Sequence, residues 1–314
     1  MAAALASQAE QSAPAKELGF SYRQGVNWSK YIAFRPQYPV SFFERIYSHH
    51  SKRNEKPWSV AHDVGAGAGI VSSTLAASFD KVIVSDPNDG YVTLARKLLV
   101  EEASLPESKF VFLQEPAENS SVASGTVDLV TACECIHWTA VDAAVREFGR
   151  ELRAGGTLAV TYYTRPLIEA GERAQVAWKG ILNAVAERAR GGVYENVYPL
   201  INTAFDHLGF PKEEWEDVTR VYINADGNTD GFVVDSRLGE SKVKEWEEQI
   251  WISHDEDWCN LHGIEWFKAY MATWVPLIPE SEIQGLWDEM ELELGGNPVK
   301  TRTPIVMIFA TKKA

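Results

Sequence analysis

Two acids and three glycines carry the first chemical signal in this chain. In "AHDVGAGAGIVSSTLA" (61–76), Asp63 stands two residues ahead of Gly65, and Gly67 and Gly69 follow at alternate positions before helix-like sequence. Glycines in such a turn let a ligand touch backbone where a Cβ would intrude. The helix start behind them offers free N–H groups and a positive dipole end. A dinucleotide-binding turn would read G-x-G-x-x-G/A; here Ile70 takes the sixth position. An acid at 63 cannot help a pyrophosphate, but it can face a cationic amino group, directly or through water. The second acid, Asp86, ends the apolar run "KVIVSD" just before Pro87. A carboxylate there can accept both hydroxyls of a ribose.

A ligand that joins an ammonium and a carboxylate to a nucleoside satisfies both acids and the loop. S-adenosylmethionine (SAM) is that ligand. Methyl transfer from its sulfonium is an in-line displacement, so positioning and water exclusion supply most of the rate. A base is needed only for a neutral acceptor; a carboxylate is already a nucleophile at pH 7. His137, in "CECIHW", is the best base candidate, with a packing role beside Trp138 as the equal alternative. Arg35, in "FRPQYP", could grip a carboxylate bidentately, and Tyr31 and Tyr38 around it are placed to close a pocket. His62 reads as core, and His49 and His50 as the end of a surface helix.

The elements that must position these groups follow from periodicity. Strand-like runs at 59–65, 81–88, 109–118, 126–138 and 156–163 alternate with helical runs at 70–79 and 90–105 and with "DAAVREFGRELRAGG", which a glycine pair closes. Phe42, Phe43, Ile46 and Tyr47 predict a helix after Pro39. Alternating strand and helix implies a parallel sheet with crossover helices. The second half adds strand-like 215–227 and 303–313. Helical stretches at about 165–210 and 240–292 hold seven tryptophans, including Trp178, Trp274 and Trp287. The expected architecture is one α/β Rossmann-like domain over 20–314. Its core is 59–163, 215–227 and 303–313; a helical cap comes from the two inserts plus 21–50, and residues 1–19 form a disordered tail.

Composition narrows the partners. A net charge of −14 opposes nucleic-acid and anionic-membrane surfaces. No apolar run is long enough to span a bilayer, and three cysteines make no disulfide framework. Cys133 and Cys135 alone complete no metal site. A cytosolic (cytoplasmic) monomer or homodimer acting on a small molecule, with no metal, is the expectation. The Trp-rich cap points to a partly apolar or aromatic acceptor.

"AHDVGAGAG", "VIVSDPN", "QEPAE" and "LRAGGTLAV", in this order, resemble the class I SAM-dependent methyltransferases. "YIAFRPQYP", "VDLVTACECIHW" and "YMATWVPL" resemble the trans-aconitate methyltransferase type among them. The resemblance covers 22–163 well and the cap only at scattered points. It implies the class I sheet, mostly parallel with an antiparallel last strand, and SAM as cofactor. It places Asp63 and the backbone at Gly65, Ala66 and Gly67 by the methionine moiety, and Asp86 by the ribose. Ala117 and Glu118 fall beside the adenine, and Cys133, Glu134 and Cys135 below the sulfonium. Trp138 and Trp274 then meet substrate, and O-methylation is favoured, of a carboxylate first and a hydroxyl second. The rival expectation keeps SAM and drops the reaction, leaving a non-methylating catalyst or an interaction module.

Overall fold

The computed structural model describes residues 28–169 and 171–314. The expected tail at 1–19 lies outside the described residues. Eleven strands are found among them: β1 (Trp58–Val64), β2 (Phe79–Asp86), β3 (Phe110–Gln114), β4 (Val127–Cys133), β5 (Leu152–Tyr163), β6 (Leu167–Ile168), β7 (Trp215–Ile223), β8 (Glu248–Ile252), β9 (Cys259–His262), β10 (Val299–Arg302) and β11 (Ile305–Lys312). Eight of them form one sheet in the order β3-β2-β1-β4-β5-β11-β7-β8. Strands β1 to β5 run parallel, and β11 pairs antiparallel with β5 and β7.

Residue types explain the order. The strand β4, "VDLVTAC", is buried along its whole length, as a strand covered on both faces must be. At one edge, β3 exposes Val111; at the other, β8 is exposed over Glu248–Ile250. Because β1, β2 and β4 are parallel, their carboxyl ends emerge on one side. The ladder sets Asp63 opposite Val84 and Thr131, with Asp86 further along β2. A crevice beyond these ends is where open α/β sheets bind ligands.

Helices α1 (Trp28–Phe34), α2 (Val40–His50), α3 (Ile70–Leu75), α4 (Asp89–Arg96) and α5 (Val141–Glu151) belong to the sheet half. The expected helix after Pro39 is α2, with Phe42, Phe43 and Ile46 buried. Its end corrects the reading of His49 and His50: both are buried, His49 against Thr311 and His50 against Thr157. Burial pushes each imidazole down to about 4. His62 is core as expected, hydrogen-bonded to Glu151 and Ser85. The glycine pair 155–156 does not end α5, which stops at Glu151; the pair lies within β5.

The second half holds α6 (Glu172–Arg188), α7 (Tyr198–Ile201), α8 (Ile264–Met271) and α9 (Gln284–Leu294). It is less helical than expected. Residues 248–252 form β8 on the main sheet, and β9 joins β6 and β10 in a three-stranded sheet. Trp178 of α6, Phe267 of α8 and Trp287 of α9 build the cap core, with the Trp178 and Phe267 ring centres 4.9 Å apart. A fully buried Arg220–Glu247 pair at 2.6 Å ties β7 to the segment before β8. The guanidinium also donates to the carbonyls of Phe205 and Leu208, so no part of that charge is left unmatched. No helix among the described residues is long and apolar enough to cross a membrane.

Candidate active site

At the carboxyl ends of β1, β2 and β4 lies a cleft of about 1180 Å³, counted to its open mouth. All ten residues expected at the cofactor line it: Tyr31, Asp63, Gly65, Ala66, Gly67, Asp86, Pro87, Ala117, Glu118 and Cys133. Residues 65–69 turn from β1 into α3, and Gly65, Gly67 and Gly69 all adopt positive φ. At Gly65 the requirement comes from the protein itself, since a Cβ would sit 2.4 Å from the Cβ of Cys135. The Cys135 thiol donates to the Val64 carbonyl, locking the end of β4 onto the loop.

The two acids are buried without a lysine or arginine partner among the described residues. Asp63 accepts hydroxyls from Ser72 at 2.6 Å and Thr131 at 2.9 Å. Asp86 accepts the backbone N–H groups of Gly67 and Asn88. Burial pushes both carboxyls up to about 6, against these hydrogen bonds. Such carboxyls gain most from a cationic ligand, which would restore their ionised forms. The bare backbone turn, the cation-seeking acids and the strand-end carboxylate therefore fit a sulfonium-bearing amino acid joined to a ribose.

A second, inner chamber of about 630 Å³ adjoins the cleft. The two share Tyr31, Arg35, Glu134, Trp138 and Tyr163 as a common wall. The inner lining adds His137, Tyr162, Tyr194, Tyr198 and Trp274, so it is mostly aromatic. Arg35 donates from Nε to the Thr273 hydroxyl and from Nη2 to the Thr273 carbonyl. Its guanidinium lies 4.9 to 5.7 Å from the ring centres of Tyr31, Tyr270 and Trp274. Tyr38, expected at the substrate, lines the outer cleft and not the inner chamber. Trp138 borders both spaces, and Trp274 only the inner one.

His137 sits in a 3-10 turn after β4, its ring 4.9 Å from Trp138 and 5.9 Å from Phe205. Its Nδ1 is buried with no hydrogen-bond partner, and burial, helped by Arg35, pushes the imidazole down to about 3. An imidazole in that state stays neutral and holds a proton weakly. Away from the cleft, ligand atoms of Glu169, His254 and Cys259 lie within 4.8 Å of one another. The Lys300 ammonium stands 3.8 Å from Glu169 and 3.1 Å from Glu256, the carboxylate that pairs with His254. A cation is already in place there.

Sequence reasoning placed Glu134 in the wall below the sulfonium but gave no weight to Tyr162, Tyr194 and Tyr198, which line the chamber with it. A tyrosine pair ending β5 was a usable signal; the backbone turn at Glu134 was not visible.

Residues 62–160 match the methyltransferase domain family. Over its length the chain is similar to methyltransferase cfoB of Aspergillus candidus, at 28% identity across 91% of this chain and 94% of that protein. It is likewise similar to methyltransferase pgmE of Aspergillus terreus, at 28% identity across 91% and 93%. A solved structure from Anaeromyxobacter dehalogenans, provisionally named a type II methyltransferase, shares the fold. Its TM-score is 0.53 and its identity 19%, over 88% of this chain and 97% of that one. With the sheet order and the cleft, these matches support a SAM-dependent methyltransferase on a class I fold, with SAM as the methyl donor.

Proposed function

We propose that this class I methyltransferase methylates a carboxylate oxygen of a small, partly aromatic acid held in the inner chamber. The observation that carries the reading is the shared wall: a fixed guanidinium stands between a donor cleft and an aromatic chamber. When bound, SAM supplies an electrophilic methyl carbon, whose bond to sulfur breaks, leaving the electron pair on sulfur, as its bond to the acceptor oxygen forms. The chain has only to bind, orient and exclude water.

Asp86 would take the ribose hydroxyls, and Asp63 would face the amino group. The backbone at Gly65, Ala66 and Gly67 would hold the methionine end, with Pro87, Ala117 and Glu118 along the adenosine. Cys133 and Tyr31 would border the sulfonium, and the tyrosine face could stabilise its charge. Arg35 keeps Nη1 unengaged among the described residues, which suits an acceptor carboxylate. Trp138 and Trp274 would flank its apolar body, while Tyr38 closes the donor side. A carboxylate needs no base, which agrees with a neutral His137 that has no orienting carboxylate. The likeness of the Arg35, His137–Trp138 and Thr273–Trp274 segments to the trans-aconitate type supports an acid acceptor as well.

The test begins with calorimetric titration against SAM, S-adenosylhomocysteine (SAH) and NAD⁺. Micromolar binding of the two sulfur ligands alone is expected. Matched panels of aromatic carboxylic acids and phenols, assayed for SAH release, then separate acceptors. Turnover of phenols alone would replace the carboxylate by a hydroxyl. SAH binding without release on any acceptor would favour the non-methylating alternative.

A further inference from the structure

Glu134 is the residue in the shared wall whose backbone is least at ease. It follows the last residue of β4 with φ of +57°, the left-handed region that a non-glycine side chain rarely adopts. This turn carries its carboxyl between the two chambers, where Oε1 accepts the Tyr163 N–H at 2.5 Å. That bond replaces the ladder partner that β4 no longer supplies. Oε2 has no hydrogen-bond partner among the described residues. Arg35 lines the same wall, yet it directs two nitrogens to Thr273 and makes no ion pair with Glu134. A fixed guanidinium and a carboxyl side by side but unpaired leave room for a group that bonds to both.

We infer that Glu134 is an acceptor-binding residue that works as a neutral carboxylic acid, donating its Oε2–H to the substrate carboxylate that Arg35 also holds. The inference rests on the carboxylate reading of the inner chamber. An ionised Glu134 would repel that substrate, while the protonated form completes a pair of donors around it.

The neighbours agree with a neutral group. From the N-terminal segment Tyr31, Arg35 and Tyr38 face it, and from β5 Tyr162 and Tyr163. Tyr270 of α8, the Cys133 and Cys135 thiols and the nearby His137 complete the surround. Burial holds the phenols and thiols in their protonated forms, and His137 is uncharged, so Arg35 is the one charge facing Glu134 among the described residues. Burial pushes the carboxyl up to about 8, with the Tyr163 N–H and Arg35 working against it. At pH 7 the proton is mostly on.

The test is calorimetric titration of the SAH-loaded protein with benzoate, cinnamate and 1-naphthoate, in buffers of different ionisation enthalpy. At pH 9 the wild type is expected to take up about one proton per acid bound. Its affinity should fall about tenfold for each pH unit above 8. Glu134→Gln, which still presents an N–H donor, should bind with no proton uptake and no alkaline fall. SAH affinity of the variant reports that the cleft is folded, and a ¹³C-carboxyl titration of the wild type, assigned by its loss in Glu134→Gln, reads the proton directly. Binding of the acids without proton uptake, or a Glu134 carboxyl that titrates below 6, overturns this inference and leaves the carboxylate reading standing. No binding of any acid beside turnover of the matched phenols overturns both.

Discussion

The donor cleft and the acceptor chamber share a wall but are built in opposite ways. The cleft is made where consecutive parallel strands end: Asp63 near the end of β1's ladder, Asp86 at the end of β2, Ala117 and Glu118 past β3, Cys133 at the end of β4. Each position is fixed by one strand and one turn, so its spacing along the chain is nearly its place in space. The chamber is made by residues that meet across the whole chain. Arg35 reaches Thr273, 238 positions away; Tyr194 comes from between α6 and α7, and Tyr198 opens α7. One region is written locally and the other only in the tertiary fold. The difference should show in how each fails.

The largest expected effect is on the local side. Asp86→Ala removes the proposed ribose acceptor and the anchor of the Gly67 and Asn88 amides together. SAM and SAH affinity should fall roughly 100-fold, on the order of 3 kcal/mol for two charge-assisted hydrogen bonds. The thermal midpoint should move little, because the lost carboxyl was buried at some cost. Affinity unchanged within threefold would remove Asp86 from the donor site and break the comparison at its root.

Arg35→Met comes next and tests the other side of the wall. The acceptor KM should rise about 30-fold, while SAH affinity shifts less than threefold. Arg35→Lys should not rescue it, because a lysine cannot make the two-nitrogen fork onto Thr273. Equal losses of donor and acceptor binding would mean that the wall is one site and not a boundary between two.

This contrast explains what the sequence discloses. The glycine loop, both acids and the alternation of strands and helices were legible because periodicity and turn chemistry are local signals. His49 and His50 were misread because a helix end looks exposed until β5 and β11 close over it; nothing near them in sequence announces Thr157 or Thr311. The β8 and β9 strands hid inside a Trp-rich run that reads as helix, since "EQIWI" and "CNLH" owe their conformation to partner strands. Glu134 was visible as a wall residue, but its left-handed backbone and freed carboxyl oxygen belong to the fold alone.

Acidity should separate the regions further. Asp63 and Asp86 sit at about 6 in the free protein because burial disfavours their charge. A cationic ligand binds the ionised forms. Donor affinity is therefore full above about pH 7 and falls as pH drops through 6, by about tenfold near pH 5 for each coupled carboxyl. Asp86→Asn should lower the slope by one proton. Acceptor binding, which the proposal assigns to Arg35 and Glu134, should stay flat over pH 5 to 7. A parallel fall of both affinities would show that the wall transmits charge from one chamber to the other.

The smallest expected effect is at His137, and it is small for a physical reason. Burial and the Arg35 charge leave the imidazole neutral down to about pH 3, and its Nδ1 has no partner to orient it. A base in that state gains little by taking a proton, so the chamber has no use for it as one when the acceptor is already an anion. His137→Asn keeps a polar edge of similar reach beside Trp138 and Tyr162. Turnover of a carboxylic acid should drop less than threefold, with an unchanged pH profile between 5 and 9, while the acceptor KM rises modestly from lost packing. A loss above 100-fold in kcat at unchanged KM would contradict this. It would mean that His137 touches the reacting oxygen, and the acceptor would then be a hydroxyl whose proton has to go somewhere.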